Sequence, residues 1–333
     1  MKQIAVNGFG RIGRCFVRAF LQDKQAQKNM KIAVINIGPA RPDFVASMFK
    51  YDTLMGTFAA DIQFQENTLI VDSYPIPIIA ESDVTKLPWQ QYDIDWVVDC
   101  TGKFTNRADA QKHIDQGAKK VLISAPAHDE DVAIIPGVND ADFNPSKHAI
   151  VSLGSCTTNA FIPTLKVLHD ALQVIQGFMK TVHAYTNSQV LLDVEAKDLR
   201  SSRAAALNII PGTTGASKML AKIMPELADV ITGMAVRVPV GKVSLLDLNV
   251  TVAKKASMQE VNNLFTHASK GAFKGIIDLT NEPLVSSDFS GNPHSVVIDS
   301  LLTQAIGNQI NVFGWYDNEW GYSMRLKDFL KNL

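Results

Sequence analysis

Residues 4–13 read IAVNGFGRIG, and this stretch decides the fold. An apolar run leads into a G-x-G-x-x-G series whose glycines are Gly8, Gly10 and Gly13. The residues that follow are apolar at a spacing typical of one helix face. In a strand–turn–helix unit the first glycine makes the turn, the second admits a pyrophosphate, and the third lets the helix pack on the strand. The stretch predicts a Rossmann-type dinucleotide-binding unit; a glycine-rich turn that only packs is the alternative.

Two kinds of apolar pattern follow along the chain. Uninterrupted Val/Ile-rich runs at residues 31–36, 96–101 and 120–124 are typical of strands buried on both faces of a parallel sheet. Residues 243–252 and 309–316 alternate apolar and polar side chains, which favours antiparallel strands with one face against helices. The fold class is therefore α/β, with a Rossmann-type doubly wound parallel sheet plus an α+β catalytic domain with a mostly antiparallel sheet.

The domain boundary is expected near the cysteine-containing turn in the middle of the chain. We predict a dinucleotide-binding domain over residues 1–155 and a catalytic domain over residues 156–318. The last residues, 322–333, carry apolar side chains at a helical spacing. A nucleophile at the boundary would stand at a domain junction, where clefts tend to form.

The composition excludes several classes of protein. The 333 residues are 46% hydrophobic and 20% charged with a formal net charge of −1, which gives no reason to expect a nucleic-acid or membrane partner. No signal peptide or membrane span is expected. Three cysteines are too few and too scattered for a disulfide framework or a metal site. These features predict a soluble cytoplasmic protein.

A lone cysteine, Cys156, stands in the polar stretch LGSCTTN at residues 153–159, just after an apolar run. If a helix begins at Thr157, its N–H groups favour a thiolate at Cys156. His183 follows downstream and is a candidate to activate the thiol, although a Cys and a His this far apart are more often unrelated packing residues. Cys15 and Cys100 are interpreted as small core residues. No role is assigned to the other histidines, which are His113, His128, His148, His169, His267 and His294.

Several segments carry a resemblance to a known family. In chain order they are NGFGRIG (7–13), KYDT (50–53), CTG (100–102), SAPA (124–127), SCTTN (155–159), HAYT (183–186), IIPGTTGA (209–216), RVP (237–239) and WYDNEWGY (315–322). Over essentially its whole length the chain resembles the phosphorylating, bacterial-type glyceraldehyde-3-phosphate dehydrogenases. The resemblance implies a C-terminal helix, residues 319–333, that packs back on the dinucleotide-binding domain.

The resemblance also implies a reaction of glycolysis and gluconeogenesis, the oxidation of glyceraldehyde 3-phosphate to 1,3-bisphosphoglycerate. Cys156 would attack the aldehyde, and His183 would accept the hydroxyl proton as hydride leaves. Inorganic phosphate would then attack the resulting thioester. By resemblance the residues that hold the substrate phosphate are Thr186 and Arg237. Those around the attacking phosphate are Ser155, Thr214 and Gly215, and Thr157 is a further candidate for binding substrate or phosphate. The purely structural alternatives are a turn at residues 214–215 and a surface ion pair at Arg237.

For the cofactor, the resemblance implies that Arg11 and Ile12 line the pyrophosphate. Thr101 and Ser124 would lie along the cleft, and Asn318 would bind the nicotinamide carboxamide. The family is usually a homotetramer, in which the loop around residues 185–205 approaches a neighbour's cofactor.

The choice between NAD and NADP depends on the end of the second strand. Ile37 stands where NAD-binding units of this type carry an acidic residue for the ribose hydroxyls. Arg41 nearby would attract a 2′-phosphate, although a solvated loop charge is the simpler interpretation. Glu195, in a loop that lacks the Leu-Pro pair common in NAD-specific members, would repel it. We expect NAD, with NADP possible.

Three other functions are considered. Erythrose-4-phosphate dehydrogenase is the rival within the class, and residues 293–295 resemble that group, although Tyr185–Thr186 and Thr214–Gly215 favour the phosphorylating enzyme. A Cys–His hydrolase or acyltransferase would not need Gly8 to Gly13. A binding protein without chemistry would not need Cys156 and His183 intact.

Overall fold

The computed structural model describes residues 1–333, which form two compact units. The first unit contains residues 1–134, 141–154 and 323–333, and the second contains residues 135–140 and 155–322. The Cys156 turn therefore opens the long segment of the second unit, and the last residues of the chain return to the first.

Nine strands, four helices and most of the C-terminal helix build the first unit. The strands are β1 (Lys2–Asn7), β2 (Met30–Asn36), β3 (Ile62–Gln65), β4 (Thr68–Val71), β5 (Tyr74–Ile79), β6 (Trp96–Asp99), β7 (Lys120–Ile123), β8 (Val132–Ala133) and β9 (Ile150–Ser152). The helices are α1 (Arg11–Gln22), α2 (Ala26–Asn29), α3 (Val45–Lys50) and α4 (Arg107–Asp115). All strands lie in one sheet of order β3-β4-β5-β2-β1-β6-β7-β9-β8.

The central part of this sheet is parallel from β5 through to β8, and only the β3-β4-β5 edge is antiparallel. The order β5-β2-β1-β6-β7-β9 is that of two mononucleotide-binding halves, with the strand order reversing between β1 and β6. Every residue of β6 is buried, as the uninterrupted apolar run predicts. The parallel Rossmann-type sheet is thus confirmed.

The second unit contains a sheet of eight strands. These are β10 (Val174–Ala184), β11 (Ile210–Thr213), β12 (Ile231–Val238), β13 (Ser244–Val252), β14 (Ile277–Thr280), β15 (Val296–Asp299), β16 (Gln304–Ile306) and β17 (Gln309–Tyr316). The order is β11-β12-β10-β13-β17-β15-β14, with β16 paired to β17. Only the pairs β10–β12 and β14–β15 are parallel, which confirms the mostly antiparallel sheet.

Helices cover one face of the second sheet. The helices are α5 (Cys156–Leu172), α6 (Ala216–Ile223) and α7 (Met258–Lys270). Along β13, buried residues alternate with half-buried ones, and α5 packs against β10, β13, β15 and β17. Alternation of this kind is what the sequence of β13 predicts for a sheet with one helix-covered face. No helix of the structure combines the length and the apolar character needed to cross a membrane.

The last helix, α8 (Trp320–Asn332), enters the first unit at Ser323. Lys327 and Lys331 both donate hydrogen bonds to the carboxylate of Asp23, which follows α1. Burial alone would raise the pKa of Asp23, but these two ammonium groups lower it well below its usual range. Phe329 packs edge-on against Trp96 of β6. Charge pairing and aromatic packing therefore hold the C-terminus in the nucleotide-binding unit.

Candidate active site

Cys156 is the first residue of α5, and Ser155 caps that helix. The Ser155 hydroxyl accepts a hydrogen bond from the Thr158 N–H at 3.1 Å, while the Thr158 hydroxyl oxygen accepts one from the Ser155 N–H at 3.2 Å. This reciprocal pair is a capping box, which explains why a helix begins at this turn. The thiol consequently stands at the positive end of a 17-residue helix, where a thiolate is favoured.

His183 of β10 supplies the partner of this thiol, with Nε2 lying 3.5 Å from Sγ of Cys156. His183 is buried, with 4% of the residue exposed. Burial and the charge of Arg237 lower the pKa of His183 to about 3, so the ring is neutral at pH 7. Burial also raises the pKa of the Cys156 thiol, while the Arg237 charge opposes that rise. A thiol beside a neutral imidazole is the arrangement of a nucleophile with its general base.

Arg237 lies directly beside His183 because the parallel pairing of β10 and β12 sets these two residues in register. Its Nη1 is 2.6 Å from Nδ1 of His183 and 3.2 Å from the carbonyl oxygen of Ala184. The guanidinium is therefore part of the Cys–His site, and the alternative of a surface ion pair does not describe it. A fixed positive charge here suits a phosphate oxygen.

Tyr316 packs against this site, and no role was assigned to it from the sequence. Its hydroxyl lies 2.9 Å from Oγ1 of Thr157 and 2.6 Å from Oγ1 of Thr181, and its ring packs edge-on against His183. Burial raises the pKa of Tyr316, so its hydroxyl stays protonated. The side chain of Thr157 is thus buried and bound to Tyr316.

The remaining residues named for phosphate binding lie in the second unit at the ends of two strands. Thr186 follows β10, and its hydroxyl lies 2.9 Å from Ser188 Oγ and 3.1 Å from Gln189 Oε1. Gly215 is the N-cap of α6 and provides no side-chain cap, and the hydroxyl of Thr214 accepts from the Ala216 N–H at 3.2 Å. Hydroxyls and helix N–H groups of this kind are suited to bind anions.

In the first unit, Gly8 and Gly13 close the strand–turn–helix junction as the fingerprint requires. Gly8 has φ +92°, and a Cβ on it would lie 2.9 Å from Thr101. A Cβ on Gly13 would collide with the carbonyl oxygen of Gly8. Gly10 differs, because no atom lies within 4 Å of the place where its Cβ would be. It is also the N-cap of α1 and makes no side-chain cap hydrogen bond, so open space adjoins the helix N-terminus where a pyrophosphate is expected.

A crevice of about 360 Å³ opens above this turn, at the carboxyl ends of β1, β2 and β6. Its lining includes Gly8, Gly10, Ile37 and Thr101 of the predicted cofactor residues. Arg11 and Ile12 begin α1, and Arg11 pairs with Asp52 at 2.5 Å. The position is that of ligand sites in open α/β sheets, outside the strand ends at the switch point.

Two predicted residues sit at other points of the structure. Ser124 follows β7 in the first unit, and its side chain hydrogen-bonds Cys100. Asn318 belongs to the second unit, is buried, and accepts a hydrogen bond from Ser244 at 3.4 Å.

Cys100 itself departs from the expectation of a core strand residue: it follows β6, is half-buried, and lines the crevice. Cys15 is buried as expected.

A buried polar network lies beneath the crevice, and the sequence did not reveal it. Asn7, Asn36 and Asp99 are the last residues of β1, β2 and β6. Asn36 donates to Asn7 at 2.8 Å, and Asn7 donates to Asp99 at 2.7 Å. The signal available in the sequence was one polar residue at the end of each of three apolar runs.

The carboxylate of Asp99 is the hub of this network. It accepts from the N–H and the hydroxyl of Thr101 at 3.0 and 2.7 Å. His113 lies 3.3 Å from it on the other side, and the indole N–H of Trp89 donates to Nδ1 of His113 at 3.0 Å. Since Nδ1 accepts, Nε2 carries the proton and donates to Asp99. No role was assigned to His113 from the sequence. It holds the Asp99 carboxylate, which in turn fixes Thr101, the residue that packs against Gly8.

The end of β2 carries no charge toward the crevice. Ile37 is buried and donates its N–H to the Ile79 carbonyl at 2.8 Å. Arg41 forms a salt bridge with Asp43 at 2.5 Å, and its guanidinium lies over the ring of Phe44. The neighbouring Asp43 carboxylate therefore offsets the positive charge that Arg41 would offer to a 2′-phosphate at this loop.

A dinucleotide-binding unit and an activated cysteine in one chain define the class: a nicotinamide-dependent oxidoreductase that acts on aldehydes through a thiol. Comparison with known proteins narrows this class. Residues 2–107 match the family model for the glyceraldehyde 3-phosphate dehydrogenase NAD binding domain, and residues 155–318 match the model for the C-terminal domain. The chain belongs to the glyceraldehyde-3-phosphate dehydrogenase family, and the resemblance seen in the sequence is confirmed.

Curated relatives agree over nearly the whole length. Glyceraldehyde-3-phosphate dehydrogenase 1 of Bacillus cereus is 45% identical over 98% of this chain and 97% of its own length. Glyceraldehyde-3-phosphate dehydrogenase 2 of Streptomyces avermitilis is 45% identical over 98% of this chain and 96% of its own. The enzyme of Geobacillus stearothermophilus is 44% identical over the same shares. The family and its NAD-binding domain confirm the enzyme class and NAD as cofactor, and these names give the erythrose alternative no support.

Proposed function

We propose that this chain catalyses the NAD-dependent, phosphorylating oxidation of glyceraldehyde 3-phosphate to 1,3-bisphosphoglycerate. The observation that carries the proposal is the 3.5 Å distance between Sγ of Cys156 and Nε2 of His183 at the N-terminus of α5. We take glyceraldehyde 3-phosphate as the substrate because the relatives are named for it.

In this reaction Cys156 attacks the aldehyde carbon and forms a hemithioacetal. The thiol proton passes to Nε2 of His183 during this attack, so the Cys156 backbone N–H and the imidazolium N–H stabilise the developing oxyanion. The oxyanion then takes that proton and becomes the hydroxyl of the hemithioacetal, which leaves the imidazole neutral. His183 then takes the hydroxyl proton while the C–H bond gives up its hydride, and a thioester remains on Cys156. When bound, the nicotinamide supplies the hydride acceptor. The crevice glycines and the uncapped N-terminus of α1 are the groups suited to hold its pyrophosphate.

Two anion sites complete the chemistry. Thr186 and Arg237 hold the phosphate of the substrate, a role supported by the position of Arg237 beside His183. Ser155, Thr214 and Gly215 hold the inorganic phosphate that attacks the thioester, with Thr157 contributing its backbone because its hydroxyl is bound to Tyr316. The N-terminus of α6, where the N-cap residue Gly215 has no side chain, supports this second site.

We also propose that NAD is preferred to NADP, that the protein is cytoplasmic, and that it is a homotetramer. The pairing of Arg41 with Asp43 supports the first point. Three free cysteines and bacterial relatives support the second. Leu191, Leu192 and Leu199 are 84%, 76% and 90% exposed, and a loop so apolar is typical of a surface covered by a second copy. Light scattering should give about four times the chain mass of 36.4 kDa.

The test is initial rates with glyceraldehyde 3-phosphate, NAD or NADP, each with and without inorganic phosphate. Phosphate-dependent reduction of NAD is the expected result. Erythrose 4-phosphate is assayed in parallel as the rival substrate. Faster turnover with erythrose 4-phosphate than with glyceraldehyde 3-phosphate would identify the protein as an erythrose-4-phosphate dehydrogenase instead. Turnover independent of phosphate would remove the phosphorylating step.

A further inference from the structure

Nδ1 of His183 faces two groups that make opposite demands on it. The carbonyl oxygen of Ala184 lies 2.7 Å away and can only accept a hydrogen bond. Nη1 of Arg237 lies 2.6 Å away and can only donate one. A neutral imidazole carries one N–H, so Nδ1 satisfies either Ala184 or Arg237 but not both.

The choice at Nδ1 fixes what Nε2 offers to Cys156. If Arg237 donates to Nδ1, the ring proton sits on Nε2 and points at the sulfur, so Nε2 has no lone pair to accept a proton. If Nδ1 carries the proton and donates to Ala184, the lone pair of Nε2 faces Cys156. Only the second tautomer is a base toward the reacting atoms.

The oxidation step needs that second tautomer. The O–H proton of the hemithioacetal passes to Nε2, the hydride from the same carbon passes to the oxidised nicotinamide, and the C–O bond becomes the carbonyl of the thioester. An Nε2 that already carries hydrogen cannot take this proton. The position of Arg237 therefore decides whether His183 is competent for the step.

We propose that Arg237 is a phosphate-responsive gate that holds His183 in the Nε2–H tautomer until an anion draws its guanidinium away. Binding of the substrate phosphate then releases Nδ1 to donate to Ala184 and makes Nε2 the base. The gate rests on the proposed function in one respect, that the phosphate of the aldehyde binds Arg237. Aldehydes without a phosphate leave the gate closed, so binding energy from a remote group is used to prepare the reacting centre.

Among the groups around the His183 ring, Arg237 is the one whose movement changes the tautomer. The groups that face the ring are Cys156 of α5, Arg237 of β12 and Tyr316 of β17. Tyr316 presents its ring edge-on, and its hydroxyl is engaged by two threonines. The Ala184 carbonyl that competes for Nδ1 is held in place because the N–H of the same peptide unit, that of Tyr185, donates to the Val240 carbonyl at 3.1 Å.

Solid-state ¹⁵N NMR of histidine-labelled enzyme with NAD bound tests the gate without turnover. The chain has seven histidines, and the signal lost in His183→Asn assigns the one that matters. The probe is glycerol 3-phosphate, which carries the phosphate but no aldehyde. We expect protonated Nε2 without the probe and protonated Nδ1 with it. Protonated Nδ1 in the absence of the probe, or no change on saturating it, overturns the proposal.

Arg237→Leu and Arg237→Lys form the matched pair. Arg237→Leu should show the Nδ1–H tautomer without any anion, and Arg237→Lys, which still donates, should restore the Nε2–H form. A kinetic readout separates gating from simple anchoring. In Arg237→Leu, kcat for unphosphorylated D-glyceraldehyde should rise several-fold while kcat/KM for glyceraldehyde 3-phosphate falls. An unchanged or lower kcat for D-glyceraldehyde means that Arg237 only anchors the phosphate, which contradicts the gate.

The failure of the gate and the failure of the proposed function give different results. If the proposed function is wrong, wild-type enzyme does not oxidise glyceraldehyde 3-phosphate with NAD and phosphate. If only the gate is wrong, wild-type turnover is normal and the histidine signals keep one tautomer with and without glycerol 3-phosphate.

Discussion

Sγ of Cys156 and Nε2 of His183 lie 3.5 Å apart although 27 positions separate the residues in the chain. The capping box begins α5 at the cysteine, and β10 carries the histidine to it. The helix N-terminus favours the Cys156 thiolate, whereas burial favours the thiol. The neutral imidazole of His183 interconverts the two forms by taking or returning the thiol proton.

Cys156→Ser should abolish aldehyde oxidation and leave NAD binding nearly intact, because the hydroxyl is a far weaker nucleophile than the thiolate. Initial rates and calorimetric titration with NAD measure the two effects. Cys15→Ala, a buried cysteine of α1, is the control and should retain activity. Substantial turnover in Cys156→Ser would remove the proposed nucleophile.

His183→Asn should slow hydride transfer by about 10²- to 10⁴-fold, the range typical of a lost general base. Single-turnover measurement of NADH formation isolates this step from product release. His267→Asn, on the exposed part of α7, is the matched control. An unchanged single-turnover rate would exclude His183 from proton transfer.

The same histidine predicts how stability depends on pH. Its pKa of about 3 lies below the ordinary value of 6.5, so between those values the unfolded chain binds a proton that the folded chain excludes. The free energy of unfolding therefore falls as the pH drops below about 6.5, by about 2 kcal/mol at pH 5. Urea unfolding at pH 7.5 and 5 should show a smaller loss for His183→Asn than for wild type. Equal losses would contradict the lowered pKa.

The fold was predictable because its signals are local. The glycine series at residues 8–13 and the apolar runs each report on their own strand or helix. The approach of Arg237 to His183 depends on the register of β10 and β12, between residues 54 positions apart, which no local pattern specifies. The same holds for Tyr316, whose partners Thr157 and Thr181 come from two other elements.

Asp99→Asn should weaken NAD binding by about tenfold, or about 1.4 kcal/mol, because the amide replaces an acceptor that Thr101, Asn7 and His113 share. Calorimetric titration with NAD measures the change. Asp95→Asn, at the opposite end of the same strand region and paired with Lys119, is the control for loss of a carboxylate. If both variants bind NAD like wild type, the network beneath the crevice does not position the cofactor.

Ile37→Asp should shift the preference further toward NAD. A carboxylate at the end of β2 accepts hydrogen bonds from the ribose hydroxyls and repels a 2′-phosphate. The measurement is the ratio of kcat/KM for NADP to that for NAD, and Ile37→Asn separates charge from shape. A ratio that stays the same in Ile37→Asp shows that this position does not discriminate.

The most direct test of the central claim is a single turnover without inorganic phosphate. Enzyme, NAD and glyceraldehyde 3-phosphate are mixed, NADH is followed, and the quenched protein is analysed by mass spectrometry. We predict one NADH per active site and a phosphoglyceroyl thioester on Cys156, with continuous turnover beginning only when phosphate is added. Sustained NADH formation without phosphate, or an unmodified Cys156 after the burst, would contradict the account.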